Sequence, residues 1–354
     1  MSASPRPSSG RPARALALLA LLGAPGCALD RMAADAMVPV LERTKGDFER
    51  VTVARYAREA APGLLATLDG VALSSPDNPA LRLLQAEMHA TFAFAFLERE
   101  DPTWAVLHYR KGRAAALAAL AQEDDALAAD LERAPAAGLE ARLAADADDD
   151  ALPALFWWAF ARGAEVNLRR GEPAQVADLP RVDAVMEWVL ARAPGYFHGG
   201  PHLYFAMRNL ALPPSFGGKP EKGVEHLDAV DRLTGGRHLM AKVLRAELHA
   251  PLLAAAPAGA SVEQVLAAQQ AAWDAFYGPL VAVARAGDDV WPEQGLPNAV
   301  ARERAKALLR DPEAHNIIPP PGAVNEYAAP PVGDGWGDDG DQGWDEGGGG
   351  EGGQ

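Results

Sequence analysis

The chain has 354 residues, a formal net charge of −15 at pH 7 and a single cysteine. One cysteine excludes a disulfide within the chain, and the acidic balance with no basic stripe argues against nucleic acid as a partner. Ala and Leu dominate the apolar residues and only two Ile are present, so the composition favours helix over sheet and predicts an all-α fold.

The N-terminus has the features of an export signal. Arg11 and Arg14 precede an apolar run at residues 15–22, which is far shorter than the about 20 residues needed to span a bilayer. Cys27 follows a small residue and resembles the lipidated cysteine of a bacterial lipobox. We therefore predict a lipoprotein signal peptide at residues 1–26, with Cys27 as a lipid anchor that holds the protein at a membrane. The alternative is an ordinary secretory signal with a chance cysteine.

The first half of the chain predicts successive helices. Two helical segments begin at Arg31, with a break near Gly46-Asp47 and an end at Asp69-Gly70. Asn78-Pro79 and Asp101-Pro102 each combine a capping side chain with a proline suited to the first helical turn, so each predicts a helix start. Between them, Phe92, Phe94 and Phe96 are interpreted as core residues. Short helices or a helical hairpin are expected at residues 121–150.

The section from Leu155 to Leu248 is the most distinctive. Trp157 and Trp158 make their helix apolar over a wide arc, which is typical of a helix that is buried on several sides or lines a cavity. Helices of one to two dozen residues alternate with Gly/Pro turns, and this alternation predicts a divergent tetratricopeptide-like solenoid of helical hairpins over residues 27–311. Residues 312–354 are rich in Pro, Gly and acids, and predict a disordered tail.

The sequence carries no recognisable catalytic or metal-binding signature. His198 and His202 are four residues apart, but Gly199-Gly200-Pro201 intervenes, so the two rings need not share a helix face. No His-Glu-x-x-His, Cys/His cluster or Gly-x-Ser-x-Gly is present. We therefore predict a protein that is not an enzyme and that has no metal site and no cofactor.

The aromatic residues beside the Gly-rich loops suggest a binding site. Ligand pockets combine apolar walls with a few polar groups, although each aromatic taken alone is also explained by core packing. The candidate cavity residues are Trp157, Trp158, Asn167, His202, Tyr204 and Phe216, and the candidate loop-forming residues are Gly199, Gly200, Gly217 and Gly218. On this hypothesis, replacing Trp157 or Trp158 with alanine impairs ligand retention more than folding.

Several segments of the chain resemble one known family in the same order. They are Phe156-Trp-Trp-Ala-Phe-Ala-Arg-Gly-Ala-Glu-Val-Asn167, Leu179-Pro-Arg-Val182 followed by Met186, Gly199-Gly-Pro-His-Leu-Tyr204, Leu212-Pro-Pro-Ser-Phe-Gly-Gly-Lys-Pro-Glu-Lys222, Leu233-Thr-Gly-Gly-Arg-His-Leu-Met-Ala-Lys-Val243 and Leu296-Pro-Asn-Ala-Val-Ala-Arg-Glu-Arg-Ala-Lys-Ala-Leu-Leu309. Over residues 155–309 the chain resembles the T-component (TatT) lipoproteins of tripartite ATP-independent periplasmic (TRAP) transporters. Gly223 and the acidic tail depart from the family's pattern.

The resemblance implies a periplasmic lipoprotein that partners the solute-binding protein of a TRAP transporter. It also implies a homotrimer with a hydrophobic cavity or pore. The predicted function is therefore the binding or channelling of a small apolar or amphipathic solute by a lipid-anchored protein on the periplasmic face of the envelope. The alternatives are a repeat scaffold that mediates protein–protein interactions without a small ligand, and a metal-dependent hydrolase.

Overall fold

A computed structural model describes residues 26–328 of the protein, and side chains from residue 28. Within that range the regular structure is helical and no strand occurs, so the predicted all-α fold is confirmed. The longer helices are α1 (Gly26–Glu49), α2 (Ala54–Ser74), α3 (Pro79–Phe92), α4 (Pro102–Leu120), α5 (Asp125–Arg133), α6 (Ala136–Asp146), α7 (Leu152–Leu168), α9 (Leu179–Arg192), α10 (Tyr196–Ala211), α11 (Pro220–Thr234), α14 (Val262–Ala284) and α15 (Gly295–Arg310). The short ones are α8 (Pro173–Val176), α12 (Leu239–Leu244) and α13 (Ala250–Leu253).

Two helices depart locally from α-helical hydrogen bonding. A π-helical turn, Ala93–Leu97, continues α3, and a second one, Arg245–His249, joins α12 to α13. A π-turn bonds residue i to i+5 rather than i+4, so it changes which side chains face a neighbouring element. The first of these turns faces the site described below.

The predicted helix starts at α3 and α4 are confirmed in atomic detail. The Asn78 side-chain oxygen accepts hydrogen bonds from the backbone N–H of Ala80 at 3.0 Å and of Leu81 at 3.2 Å. Asp101 accepts from the backbone N–H of Trp104 at 2.9 Å. These bonds satisfy N–H groups that the first helical turn leaves without partners. Because the bonding side chains lie at the helix start itself, both starts could be predicted from sequence.

The buried apolar residues form two main clusters. The first cluster is built mainly from α3 to α9, and the second cluster mainly from α10 to α15. Phe48, Phe94 and Phe96 pack against both clusters, so they lie at the junction between them. A smaller third cluster lies under α1, α2 and α3.

The first two helices have different ends from those predicted. Helix α1 continues through Gly46-Asp47 to Glu49, and α2 continues through Gly70 to Ser74. A glycine inside a helix costs only about 1 kcal/mol relative to alanine. At Gly46 the packing of Phe48 against both clusters outweighs that cost. Consecutive helices such as α10 and α11 pack side by side, while the division into tetratricopeptide-like repeats stays a prediction.

The chain continues to contact the helical domain beyond the predicted boundary at residue 311. Ile317 is fully buried in the second cluster, and the Asn325 side chain donates to the Leu309 carbonyl at 2.6 Å. Glu326 forms an ion pair with Arg285. The first part of the predicted tail is therefore packed. The predicted signal peptide up to residue 25, the Cys27 side chain and residues 329–354 lie outside the described part of the chain.

Candidate functional site

A cavity of about 230 Å3 lies where the first and second clusters meet. Its walls come from α1, α2, α3 with its π-turn, α7, α10 and α15, and most of the side chains that line it are apolar. Such a site is concave, mostly apolar and supplied with few polar groups, which are the usual features of a small-molecule pocket.

Helix α10 forms the longest wall of the cavity. The lining residues recur at helical spacing and so occupy one face; they are Gly200, Leu203, Tyr204, Met207, Arg208 and Ala211. A rise of 1.5 Å per residue makes this stripe about 17 Å long, so the cavity is elongated along α10.

Helix α7 runs beside α10 and contributes a second stripe, from Phe160 through Gly163 to Asn167. A Cβ placed on Gly163 would lie 2.7 Å from Tyr204 Cε2, and one placed on Gly200 would lie 2.6 Å from Phe156 Cζ. Both distances are shorter than real carbon–carbon contacts. Glycine at these two positions therefore allows α7 and α10 to pack closely enough to share one cavity wall.

The last residue of α3 and the π-turn that follows it supply aromatic residues that the sequence pattern predicts as core residues. Phe92 is buried, Phe94 and Phe96 are partly buried, and all three line the cavity. In a regular α-helix Phe92 and Phe96 would lie only about 40° apart around the axis. The Glu98 N–H bonds to the Ala93 carbonyl at 3.1 Å, which is the wider bond of a π-turn, and Phe94 in this turn lines the cavity together with Phe92 and Phe96.

A left-handed turn at the start of α10 forms one end of the cavity. Phe197, His198 and Gly199 have φ values of 45°, 58° and 88°. This conformation is costly for a residue with a bulky side chain and is found where surrounding packing enforces it. The Phe197 ring lies 4.7 Å from that of Trp157, and the His198 ring lies 4.9 Å from that of Trp291. Both Phe197 and His198 line the cavity.

The predicted loop-forming glycines after α10 occupy positions that demand glycine. Gly217 has a φ of 84°, and a Cβ on Gly218 would lie 1.8 Å from the Leu212 carbonyl oxygen. The resulting tight loop connects α10 to α11.

Of the six candidate cavity residues, the structure brings two to the cavity wall. Asn167 and Tyr204 line it, together with the loop residue Gly200. Asn167 lies in the last turn of α7, and Tyr204 lies on the lining face of α10. The structure therefore does not bring all six candidates together around this cavity, and a ligand-binding role for Asn167 and Tyr204 stays a prediction.

The other four candidates lie elsewhere for identifiable reasons. Trp157 is 1% exposed beneath the Phe197 ring, and Trp158 is buried with its Nε1 donating to Glu132 Oε1 at 3.0 Å. His202 lies about 170° around α10 from the centre of the lining stripe, and its ring contacts His226 of α11 instead. Phe216 is 62% exposed in the loop after α10.

The polar groups of the cavity concentrate at its two ends. At the α10 C-terminal end, Asp183 accepts hydrogen bonds from the Tyr204 hydroxyl at 2.7 Å and from Arg208 Nε at 3.3 Å. Burial and the nearby Asp183 carboxylate hold the pKa of Tyr204 well above its ordinary value, so its hydroxyl remains a donor. At the opposite end, Lys45 and Glu87 form an ion pair near His198.

Comparison with known families identifies the chain. The sequence model described as "TRAP transporter T-component" matches residues 54–315, which is most of the chain. The chain belongs to the TRAP transporter T-component family. No functionally curated protein shows significant similarity to it.

Family membership confirms the resemblance recognised in the sequence. It makes this T-component chain part of a TRAP-type transport system and indicates a location in the cell envelope. The family is one of transporter components rather than of enzymes. Among residues 26–328, no helix is both long and apolar enough to cross a bilayer.

Four of the eight histidines of this T-component form two pairs that link neighbouring helices. His202 Nδ1 lies 2.9 Å from His226 Nδ1, which joins α10 to α11. His89 Nδ1 lies 2.9 Å from His108 Nδ1, which joins α3 to α4. One nitrogen of each pair must donate and the other accept. Within the described residues there is no group of three or more His, Cys, Asp or Glu side chains that could hold a metal ion.

The His89–His108 pair makes stability depend on pH. Asp69 Oδ1 lies 3.0 Å from His89 Nε2 and orients that ring. Burial, with the neighbouring His89 and Lys111, lowers the pKa of His108 from 6.5 to about 4, and burial also lowers that of His89. Between about pH 4 and pH 6.5 the folded chain therefore binds fewer protons than the unfolded chain.

We expect the free energy of unfolding to fall as the pH is lowered from about 6.5 towards 4, because proton uptake by these histidines favours the unfolded chain. His108→Gln should make this decrease less steep. Urea denaturation of both proteins at a series of pH values measures the effect. At pH 8 the histidines are neutral in both the folded and the unfolded chain. The difference in free energy of unfolding between the two proteins at that pH therefore reports the packing change alone. Parallel profiles for the two proteins below pH 6.5 would contradict this assignment.

Proposed function

We propose that this TRAP T-component binds or channels a small apolar or amphipathic solute in the cavity between its two hydrophobic clusters. The observation that supports this is the shape and chemistry of the cavity: an elongated, mostly apolar space with a group of polar side chains near each end. A well-packed core leaves few voids larger than a water molecule. A cavity of about 230 Å3 lined by aromatic and aliphatic side chains therefore points to an occupant.

The same features limit the class of solute. Apolar walls favour an apolar body, and the polar ends favour one polar group. The volume lies just below the range of about 300–1,000 Å3 that is usual for sites binding drug-sized molecules. A slender amphipathic solute fits these properties better than a bulky or highly charged one.

We further propose that the protein hands this solute to the solute-binding protein of the transporter. In this proposal Cys27 carries a lipid that holds the chain on the periplasmic face of the envelope, and the protein assembles as a homotrimer, as the family resemblance implies. The protein itself performs no chemistry and needs no cofactor. Adjacent genes for a TRAP solute-binding protein and its membrane subunits would support the transport role.

The alternative is a scaffold that binds other envelope proteins without a small ligand. One observation favours it: Val262, Val265 and Leu266 are exposed and share one side of the first turns of α14. Exposed apolar patches often mark protein interaction sites. A variant whose cavity is filled should keep the function of a scaffold but lose that of a solute carrier. Filling the cavity therefore distinguishes the two functions.

Leu203→Trp is expected to weaken the binding of a small apolar probe strongly. Leu203 is partly buried and lies in the middle of the lining stripe of α10, so an indole at this position occupies the space that a ligand needs. The measurement is a fluorescence titration with N-phenyl-1-naphthylamine, a neutral apolar dye whose emission rises in an apolar site. We expect saturable binding by the wild-type protein and at least about a tenfold loss in the variant.

Leu233→Trp provides the matched control. Leu233 is exposed on α11 and does not line the cavity, so the same substitution there should leave dye binding unchanged. Thermal unfolding of both variants checks that each is folded. Saturable binding that is equal in all three proteins would place the dye outside the cavity and would refute the proposed function.

A further inference from the structure

Arg208 is a cavity residue whose hydrogen-bonding capacity is largely unused. A guanidinium has five N–H donors. In Arg208 only Nε has a partner among the described residues, the Asp183 carboxylate at 3.3 Å. The Nη1 atom is buried and makes no hydrogen bond, although the whole side chain is only 17% exposed. An unpaired buried donor on a charged group is expensive, so it calls for a partner.

Other buried arginines of the protein are well paired. Arg162 donates from Nε to Asp178 at 2.6 Å and from Nη1 to Gln175 at 2.8 Å. Arg304 is paired with Glu247 at 2.8 Å. Arg208 differs from both in lining the cavity and in keeping its Nη groups without a partner in the described chain.

Two further polar groups lie at the same end of the cavity. Asn167 in the last turn of α7 lines the cavity, and its side-chain amide makes no hydrogen bond to any other described residue. Arg170 also lines it and donates only to the Asn167 carbonyl, at 3.3 Å. This end therefore presents two guanidinium groups and one amide.

No acidic side chain of the described residues lines the cavity at this end. The acidic lining residues are Glu49, Glu87 and Glu98. Glu49 and Glu87 accompany Lys45 near the opposite end, and Glu98 accepts a hydrogen bond from the Tyr109 hydroxyl at 2.6 Å. Asp183, which accepts from Tyr204 and from Arg208 Nε, does not line the cavity, so no carboxylate of the lining residues pairs with Arg208 Nη1.

The cavity thus has a cationic end next to an apolar body. From Arg208 the lining face of α10 continues through Met207 and Leu203 towards Gly200, over about 12 Å. We propose that the solute is a carboxylate amphiphile whose carboxylate binds Arg208, with Asn167 as a second donor and the apolar chain lying along α10. This inference rests on the proposed function, that the cavity binds a solute. A guanidinium suits a carboxylate because two parallel N–H groups match its two oxygens.

The test compares three probes of different head group and chain, each by displacement of N-phenyl-1-naphthylamine. Decanoate has the anionic head and the chain, decan-1-ol has the chain with a neutral head, and acetate has the head alone. We expect decanoate to bind at least about tenfold more tightly than decan-1-ol, because it adds a charge-assisted bond to Arg208. Acetate, which has no apolar chain to bury, should not displace the dye.

Arg208→Met keeps most of the side-chain length and removes the charge. We expect it to weaken decanoate binding about ten- to hundredfold while leaving decan-1-ol binding unchanged. Arg232→Met on the exposed end of α11 is the matched control and should leave both unchanged. If Arg208→Met does not fold, Asn167→Leu and Arg170→Met test the same end of the cavity, and each should weaken decanoate selectively.

The outcomes separate this inference from the proposed function. Equal affinity of the wild-type protein for decanoate and decan-1-ol, or unchanged decanoate affinity in folded Arg208→Met, would overturn the carboxylate site but leave a solute-binding cavity. Failure of the dye and of both long-chain probes to bind would overturn the proposed function as well.

Discussion

Replacing Trp157 with alanine is expected to lower the free energy of unfolding by about 3–5 kcal/mol. Trp157 is 1% exposed, and its ring lies 4.9 Å from that of Phe156, 5.6 Å from Phe160 and 4.7 Å from Phe197. These edge-on aromatic contacts add to the hydrophobic term. The loss would leave a void beneath Phe197, whose left-handed backbone depends on surrounding packing.

Urea denaturation of the variant measures this loss, with Trp104→Ala as the control. Trp104 is 44% exposed on α4, so its removal should cost much less than that of Trp157. Equal losses at the two positions, or a loss below about 1 kcal/mol for Trp157→Ala, would show that Trp157 is not a core residue. The burial of Trp157 thus favours a larger effect on folding than on ligand retention, which is the opposite of the expectation from sequence.

Glu165→Ala is expected to destabilise the protein by a similar amount, about 3–5 kcal/mol, for an electrostatic reason. The Glu165 carboxylate is 3% exposed and lies 2.7 Å from Arg110 Nε and 3.2 Å from Arg162 Nη1. Arg169 at 3.2 Å and Arg113 at 3.7 Å complete the group. Removing this buried carboxylate leaves the guanidinium groups close together near the contact between α4 and α7, where only Arg162 keeps a buried acidic partner, Asp178 at 2.6 Å.

The ionisation of Glu165 agrees with this role. Burial opposes its charge, but the hydrogen bond from Arg110 and the neighbouring guanidinium groups outweigh burial and hold its pKa below the ordinary value. The matched control is Glu172→Ala, which removes an exposed carboxylate that pairs with Arg169. Exposed pairs contribute only about 0–1 kcal/mol. Thermal and urea unfolding of the two variants compare them, and similar stabilities would refute a structural role for Glu165.

Local features of the fold were predictable because their causes are local. Asn78 and Asp101 bond to backbone N–H groups two or three residues away, so each helix start follows from a few neighbouring residues. The all-α class follows from composition in the same way. The end of α1 was not predictable, because it depends on the packing of Phe48 against clusters that are distant in sequence.

The cavity was predictable only where helical spacing identifies a face. On α10, Tyr204 belongs to the lining stripe while His202 lies on the opposite side, and the spacing from Gly200 alone could have separated them. On α7, Trp157 shares the side of Asn167 but is covered by Phe197 from a later helix. No sequence pattern shows that a residue of a later helix packs over Trp157 and separates it from the cavity.

Three residues of the site had no sequence pattern that assigned them to a cavity. Phe94 and Phe96 reach the cavity through a π-turn, whose hydrogen-bond register depends on its tertiary surroundings. Arg208 becomes distinctive only because its Nη1 is buried without a partner, which is a property of the folded protein and not of the sequence.

Native mass spectrometry of the isolated protein beside its Leu203→Trp variant tests the central claim most directly, because it detects any bound small molecule by its mass. We predict that each wild-type subunit retains up to one apolar or amphipathic molecule, that added decanoate occupies the same site, and that Leu203→Trp retains neither. A wild-type protein that carries no small molecule and takes up no decanoate, or a Leu203→Trp variant that retains as much as the wild type, would contradict a solute-binding cavity.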